Sequence, residues 1–120
     1  LVLLKEMPHV DVIDAISACK AYVMTSKREG FPTSLLEAMG LGKAVVVPNH
    51  TGCKEIVGSD DYGFLYQPDS IDDLVEKTQH AILSKNIGEK ARERVLRNFD
   101  WKIVAKRLDK IYESSKNSPK

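Results

Sequence analysis

Two carboxylates, Glu29 and Glu37, bracket the run Gly30-Phe31-Pro32-Thr33-Ser34-Leu35-Leu36. The run leaves an apolar strand, passes through a glycine-containing loop and enters a helix. The first turn of a helix leaves backbone N–H groups without partners and carries a partial positive charge. Gly30 lets the main chain approach a ligand closely, and Thr33 and Ser34 add hydroxyl donors. Together these features suit a phosphate. At about 100° per residue, Leu35, Leu36 and Met39 share one helix face and Glu37 lies nearly opposite. Thr33 precedes Glu37 by one turn, so the two line the same side. A carboxylate at Glu37 could accept hydrogen bonds from two adjacent sugar hydroxyls, as acidic residues do for a ribose. Glu29, at the strand end, could hold the hydroxyls of a transferred sugar. By spacing alone, the same residues also fit a plain solvated helix face. Glu37 would then be an exposed charge, Glu29 a loop charge, Gly30 a turn residue and Thr33 an N-cap.

The elements that must position this run can be read along the chain. Residues 1–6 form a short apolar run that reads as a buried strand, ended by Pro8. Val10, Ile13, Ala15, Ile16 and Ala18 recur at helical spacing and predict a helix over 10–19. Ala21 to Met24 reads as a second strand. A helix follows over 33–41, with Pro32 at its start and Gly40 and Gly42 as stop signals. Ala44-Val45-Val46-Val47 is a third strand, residues 51–57 a short helix, and Gly63-Phe64-Leu65-Tyr66 a fourth strand. Beyond it the pattern is helical. Ser70 can cap a helix whose first turn carries Asp72 and Asp73, with Ile71, Leu74, Val75, Thr78 and Ile82 as its inward stripe. A shorter helix spans about 87–97. Asp100 caps a last one, with Ile103, Val104, Leu108 and Ile111 on one face. Residues 114–120 are polar and read as a frayed tail. Four apolar strands alternating with helices predict an α/β fold: a doubly wound parallel sheet covered on both faces. In such sheets ligands bind beyond the carboxyl ends of the strands. The loops at Met7 to His9, Ser26 to Pro32, Pro48 to Gly52 and Gln67 to Asp69 lie there.

Composition narrows the function classes. The 120 residues are 42% apolar and 29% charged, with a formal net charge of +1. That balance gives no support for a nucleic-acid partner, which needs a basic face. Cys19 and Cys53 form no C-x-x-C pair and read as reduced, partly buried thiols of a cytoplasmic protein. No apolar run approaches the roughly 20 residues of a membrane span, and no signal-peptide pattern opens the chain. The start at Leu1-Val2-Leu3-Leu4, inside an apolar strand and without an initiator Met, leads us to expect further sequence upstream. No G-x-G-x-x-G follows a strand, which sets aside a Rossmann dehydrogenase.

The run from Glu29 to Met39 resembles the Glu-x7-Glu signature of the family-four group of retaining GT-B glycosyltransferases (glycosyl transferases group 1). The likeness continues through Gly42-Lys43-Ala44-Val45-Val46, then Gly52-Cys53-Lys54-Glu55-Ile56-Val57, then Gly63-Phe64-Leu65 with Pro68 and Asp69, and Asn98-Phe99-Asp100-Trp101. Five motifs in register cover nearly the whole chain. The resemblance implies a Rossmann-like half of a GT-B fold, lacking its first elements. Residues 1–113 would form this partial C-terminal, nucleotide-sugar-binding domain, closed by a helix over about 100–113. Thr51, Cys53 and Lys54 depart from the family's usual Gly, apolar residue and Pro, which bears on the shape of that loop.

The resemblance also implies roles. Glu29 would contact and orient the donor hexose and so be the catalytic residue. The backbone of Gly30, Phe31, Pro32 and Thr33 would face the hexose and diphosphate, with Thr33 and Ser34 nearest the phosphate. Glu37 would bind the ribose hydroxyls. Pro8 and His9 would lie near the base, contacting it mainly through backbone. The substrate would be a nucleoside-diphosphate sugar, with no cofactor and no metal. An Arg and a Lys that clamp the diphosphate are expected upstream; Lys27 and Arg28 read as a solvated loop pair that could assist them. The acceptor, a sugar, lipid or polysaccharide, would be bound mainly by an N-terminal domain outside this chain, which leaves room for peripheral membrane contact there. Two other readings stay open: a different GT-B enzyme, such as a nucleotide-sugar epimerase, and a non-catalytic nucleotide-binding or interaction module.

Overall fold

A computed structural model describes residues 5–28 and 30–116; within it the side chains at 101, 104, 107, 108, 111, 112, 115 and 116 lie outside the description. The elements run α1 (His9–Ala18), β1 (Ala21–Val23), α2 (Thr33–Gly40), β2 (Ala44–Pro48), α3 (Thr51–Val57), β3 (Phe64–Tyr66), α4 (Ile71–Leu83), α5 (Ile87–Asn98) and α6 (Trp101–Lys116). The three strands form one parallel sheet in the order β1-β2-β3. Tyr22 pairs with Val45, and Val47 with Leu65. The strand expected over 1–6 falls largely on residues 1–4, which lie outside the described residues; Lys5 and Glu6 are not in a strand.

β2 is the centre of the sheet and of the core. Every one of its residues is buried, as an apolar run covered on both faces requires. Side chains alternate across the sheet. Val45 and Val47 pack with Leu35, Met39, Ile56 and Val57 from α2 and α3, with Ile16 of α1 and Ala91 of α5 joining them. Ala44 and Val46 face the other way, onto Tyr66 and Ala81, with Leu74 of α4 packed beside them. The sheet is therefore covered on both faces, as the alternation of strands and helices predicted.

The stop of α2 has a visible cause. Gly42 takes φ 75, a conformation open to glycine at little cost. Its N–H donates to the Met39 carbonyl and the Lys43 N–H to the Ala38 carbonyl. These two bonds make a Schellman motif, so Gly42, and not Gly40, ends the helix. Gly88 of α5 lies directly against this turn: a Cβ there would collide with the Gly42 carbonyl oxygen. The absence of a side chain at Gly88 is what lets α5 dock on the α2–β2 corner.

Three expectations are corrected. The inward stripe of α4 is carried by Leu74 and Ala81, whereas Ile71, Val75 and Ile82 are exposed. The sheet is narrow, with two strands of only three residues, and α4 presents Leu74 and Ala81 to it. α6 begins at the Asp100 cap, whose carboxylate accepts the Lys102 N–H at 2.9 Å, but it runs on through Lys116 rather than fraying at 114. Of its expected apolar face, Ile103 is half-buried, and the side chains of Val104, Leu108 and Ile111 lie outside the described ones. Cys53 is buried as expected, but Cys19 is exposed.

Candidate functional site

α2 starts where the sequence placed it, with Pro32 in the N-cap position and no side chain capping the first turn. Proline suits that junction, because its fixed φ leads into the helix and its missing N–H is not needed there. Leu35, Ala38 and Met39 are fully buried on the inner face. That anchoring turns Thr33 outward and leaves the Glu37 side chain 31% exposed. Ser34 is half-buried. Its Oγ accepts the hydroxyl of Tyr22 on β1 at 2.9 Å, tying the first turn of α2 to the sheet. Ser34 keeps its own proton to donate.

Gly30 stands in open space: a Cβ there would meet nothing within 4 Å. The protein itself does not demand glycine at this position, so the free volume is available to a ligand. Phe31 is exposed, but its ring lies 6.0 Å from that of Phe99 at the α5–α6 junction. Glu29, the residue given the catalytic role, lies outside the described residues.

His9 is the first residue of α1, not a loop residue, and it has a partner. Its Nε2 lies 2.6 Å from Glu37 Oε1. Two residues 28 positions apart thus bring α1 and the outer face of α2 together. The imidazole is 71% exposed, so the pair stands at the surface, where a ligand can reach it. Pro8 caps α1 through its carbonyl, which accepts the N–H groups of Asp11 and Val12.

A recess of about 370 Å³ lies beside the loop that leads into α2, lined by Lys27, Arg28, Gly30, His50, Thr51 and Gly52. Thr51 and Gly52 belong to the start of α3, which also carries no side-chain cap. Among the described residues this lining holds two cations and no carboxylate. Lys27 and Arg28, read from the sequence as a solvated pair, are exposed and put positive charge on this rim. Tyr66, at the end of β3, donates its hydroxyl to the Met24 carbonyl at 3.2 Å. Burial, and then the nearby Cys53 and Asp69, push the Tyr66 hydroxyl above the ordinary value of 10.0. Among the described residues, no three His, Cys, Asp or Glu side chains gather as a metal site, and no helix is long and apolar enough to cross a membrane.

A second layer was not foreseen. Arg94 of α5 donates through Nε to the Ile56 carbonyl at 2.7 Å and through a terminal nitrogen to the Glu55 carbonyl at 3.1 Å. Its guanidinium also lies over the rings of Tyr62 and Phe99, at 5.3 and 5.8 Å. Through Phe99 this brace reaches Phe31 in the loop before α2.

A family model described as "Glycosyl transferases group 1" matches residues 1–99, more than four-fifths of the chain. The chain belongs to this family. An N,N'-diacetylbacillosaminyl-diphospho-undecaprenol alpha-1,3-N-acetylgalactosaminyltransferase from Campylobacter jejuni is 33% identical over 107 residues, covering 86% of this chain and 28% of that protein. Among solved structures, a glycosyltransferase from Rickettsia africae superposes with a TM-score of 0.78 at 26% identity, over 90% of this chain and 31% of that one. Sucrose-phosphate synthase from Thermosynechococcus elongatus superposes with a TM-score of 0.83 at 23% identity, over 97% of this chain and 30% of that one, a likeness of fold. The parallel sheet flanked by helices is thus part of a GT-B glycosyltransferase fold. The chain spans a little under a third of the length of each of these proteins.

Proposed function

We propose that this chain forms the donor-binding wall of a retaining glycosyltransferase that uses a nucleoside-diphosphate sugar. The observation that carries the reading is the placement of charge around α2. On its outer face stands the Glu37 carboxylate, held by His9, and beside the loop before it lies a recess lined by Lys27 and Arg28. The first would take the ribose hydroxyls, and the second, with the uncapped starts of α2 and α3, the diphosphate.

In glycosyl transfer, positive charge grows on the sugar while negative charge grows on the departing diphosphate. Preorganised donors aimed at that leaving charge lower the barrier most. The start of α2, with the Thr33 and Ser34 hydroxyls, supplies part of this, and Lys27 and Arg28 add to it. Glu29 would orient the hexose and balance its developing charge, without acting as a nucleophile. Glu37 would bind the ribose, remote from the bond that breaks. Pro8 and His9 would border the base. The acceptor would be completed by parts of the full-length protein outside this chain, so the chain alone would not catalyse transfer. Hexose transfer into a glycan, lipid or polysaccharide is the proposed class of reaction, without a metal or cofactor.

The test is stereochemical. The full-length protein is incubated with UDP-, GDP- and ADP-hexoses, and slow transfer to water is followed by proton NMR before mutarotation scrambles the product. Release of the sugar with the donor's anomeric configuration is expected. First appearance of the opposite anomer would refute retention.

A further inference from the structure

A second pocket of about 340 Å³ opens at the carboxyl ends of the three strands, and of the residues assigned above to the donor only Lys27 lines it. It shares Lys27 and His50 with the basic recess, so the two are neighbours across a common wall. We propose that this pocket binds a neutral sugar ring of the acceptor. The proposal rests on the donor reading given above.

The recess at Gly30 holds two cations and, among the described residues, no carboxylate. The second pocket holds the Asp69 carboxylate against the single cation Lys27. Its wall continues into α4 through Ile71 and Leu74, and the first turn of that helix also carries Asp72 and Asp73 outside the lining. At that helix start Ser70 Oγ accepts the Asp73 N–H, and the Asp73 carboxylate accepts the N–H of Gln67 just before it. An anion is therefore disfavoured here. The apolar part of the lining comes from Pro48, Tyr66, Pro68, Ile71 and Leu74. Tyr66 is fixed by its bond to the Met24 carbonyl, so this wall is preformed. Asp69 makes no hydrogen bond among the described residues and keeps its acceptor oxygens for a ligand. Apolar walls with a few polar groups that fix orientation are what a small-molecule site requires, and the volume lies within the usual range of about 300–1,000 Å³. A pyranose ring, with apolar faces and a rim of hydroxyl donors, fits both halves of this lining.

The position of the pocket suits an acceptor. With retention, the acceptor oxygen must reach C1 from the face that the diphosphate leaves. In that step the acceptor oxygen bonds to C1, the C1–O bond breaks with its electron pair going to the phosphate oxygen, and the hydroxyl proton passes to that oxygen. The acceptor subsite must then border the diphosphate recess, as this pocket does through Lys27 and His50.

The experiment uses the full-length protein with methyl-labelled isoleucine and leucine, followed by NMR. The probes are methyl glucoside, methyl mannoside and N-acetylglucosamine, added after saturation with a nucleoside diphosphate. The expected result is that at least one sugar shifts the Ile71 and Leu74 methyl signals while the nucleotide alone does not. Asp69→Asn, which removes the charge but tolerates the φ of 65 found at this position, should weaken that sugar about tenfold and leave nucleotide affinity unchanged. Ile71→Trp provides a second variant: Ile71 is 75% exposed, so a larger side chain can fill the pocket mouth without disturbing the core, and it should also block the sugar. Shifts produced by the sugar of an intact donor, and not by free sugars, would assign the pocket to the donor and overturn the proposal. Normal nucleotide binding with no response to any of the sugars would overturn it while leaving the donor reading in place. Failure of the unmodified protein to bind any nucleotide would remove the donor reading, and this proposal with it.

Discussion

Replacing Arg94 with Met removes a brace that joins three parts of the domain. The guanidinium makes two hydrogen bonds to the last carbonyls of α3 and lies over two aromatic rings. A hydrogen bond to a charged group contributes about 1.5–3 kcal/mol when protected, and a cation–π contact about 0.5–1 kcal/mol at an accessible site. Arg94 is only half-buried, and water can replace it at the helix end, so the low end of these ranges applies. Met retains much of the packing of the arginine stem. The expected net loss is about 2 kcal/mol. In urea, with a slope of about 2 kcal/mol/M, that loss moves the unfolding midpoint down by about 1 M without changing the slope. Arg94→Lys should recover less than half, because an ammonium cannot reproduce the planar fork. The assay is far-UV circular dichroism across a urea series. A midpoint shift below about 0.3 M for Arg94→Met, or full recovery by Lys, would show that the guanidinium does not brace α3 as argued.

Two further outcomes follow from packing and titration. Gly88→Ala gains about 1 kcal/mol of helix propensity, but it drives a Cβ into the Gly42 carbonyl, an obstacle of main chain that cannot rotate away. A net destabilisation of about 1–2 kcal/mol is expected in the same urea assay, and a gain in stability would contradict the close approach of α5. Tyr66 holds its proton more tightly when folded than the ordinary value of 10.0. Above that pH the unfolded chain loses a proton that the folded chain keeps, so this contribution is complete below pH 10 and declines as pH rises through the folded value. Stability should therefore fall more steeply above pH 10 in the parent than in Tyr66→Phe, measured by urea midpoints across alkaline buffers; parallel curves would refute the assignment.

Local pattern carried most of the fold. The run Ala44 to Val47 has no polar residue to turn toward water, and it became the fully buried β2. Pro32 and Gly42 marked the two ends of α2 because each has a backbone conformation of its own. What local pattern could not supply was the choice between faces. α4 carries two apolar lines, and only contact with the narrow sheet decides that Leu74 and Ala81 turn inward. At the site, the orientation of Glu37 followed from helical geometry, but its partner did not. His9 lies 28 residues away on another helix, and no spacing rule connects them. The same holds for Phe31 with Phe99, and for Arg94 with the carbonyls of α3. Each is a tertiary meeting of segments whose own sequences read as ordinary. Lys27 and Arg28 are exposed, as a solvated pair should be, and the fold adds that they line a recess with Gly30, Thr51 and Gly52.

In the proposed reading, Glu37 holds the ribose of a nucleotide donor. The most direct test is calorimetric titration of the full-length protein with UDP, GDP and ADP, beside a Glu37→Ala variant shown to be folded. One nucleotide is expected to bind, and its affinity to weaken by about 1–3 kcal/mol in the variant, the cost of leaving hydrogen-bonding groups unpaired. Equal affinity in the two proteins, or no binding of any nucleotide by the folded parent, would contradict it.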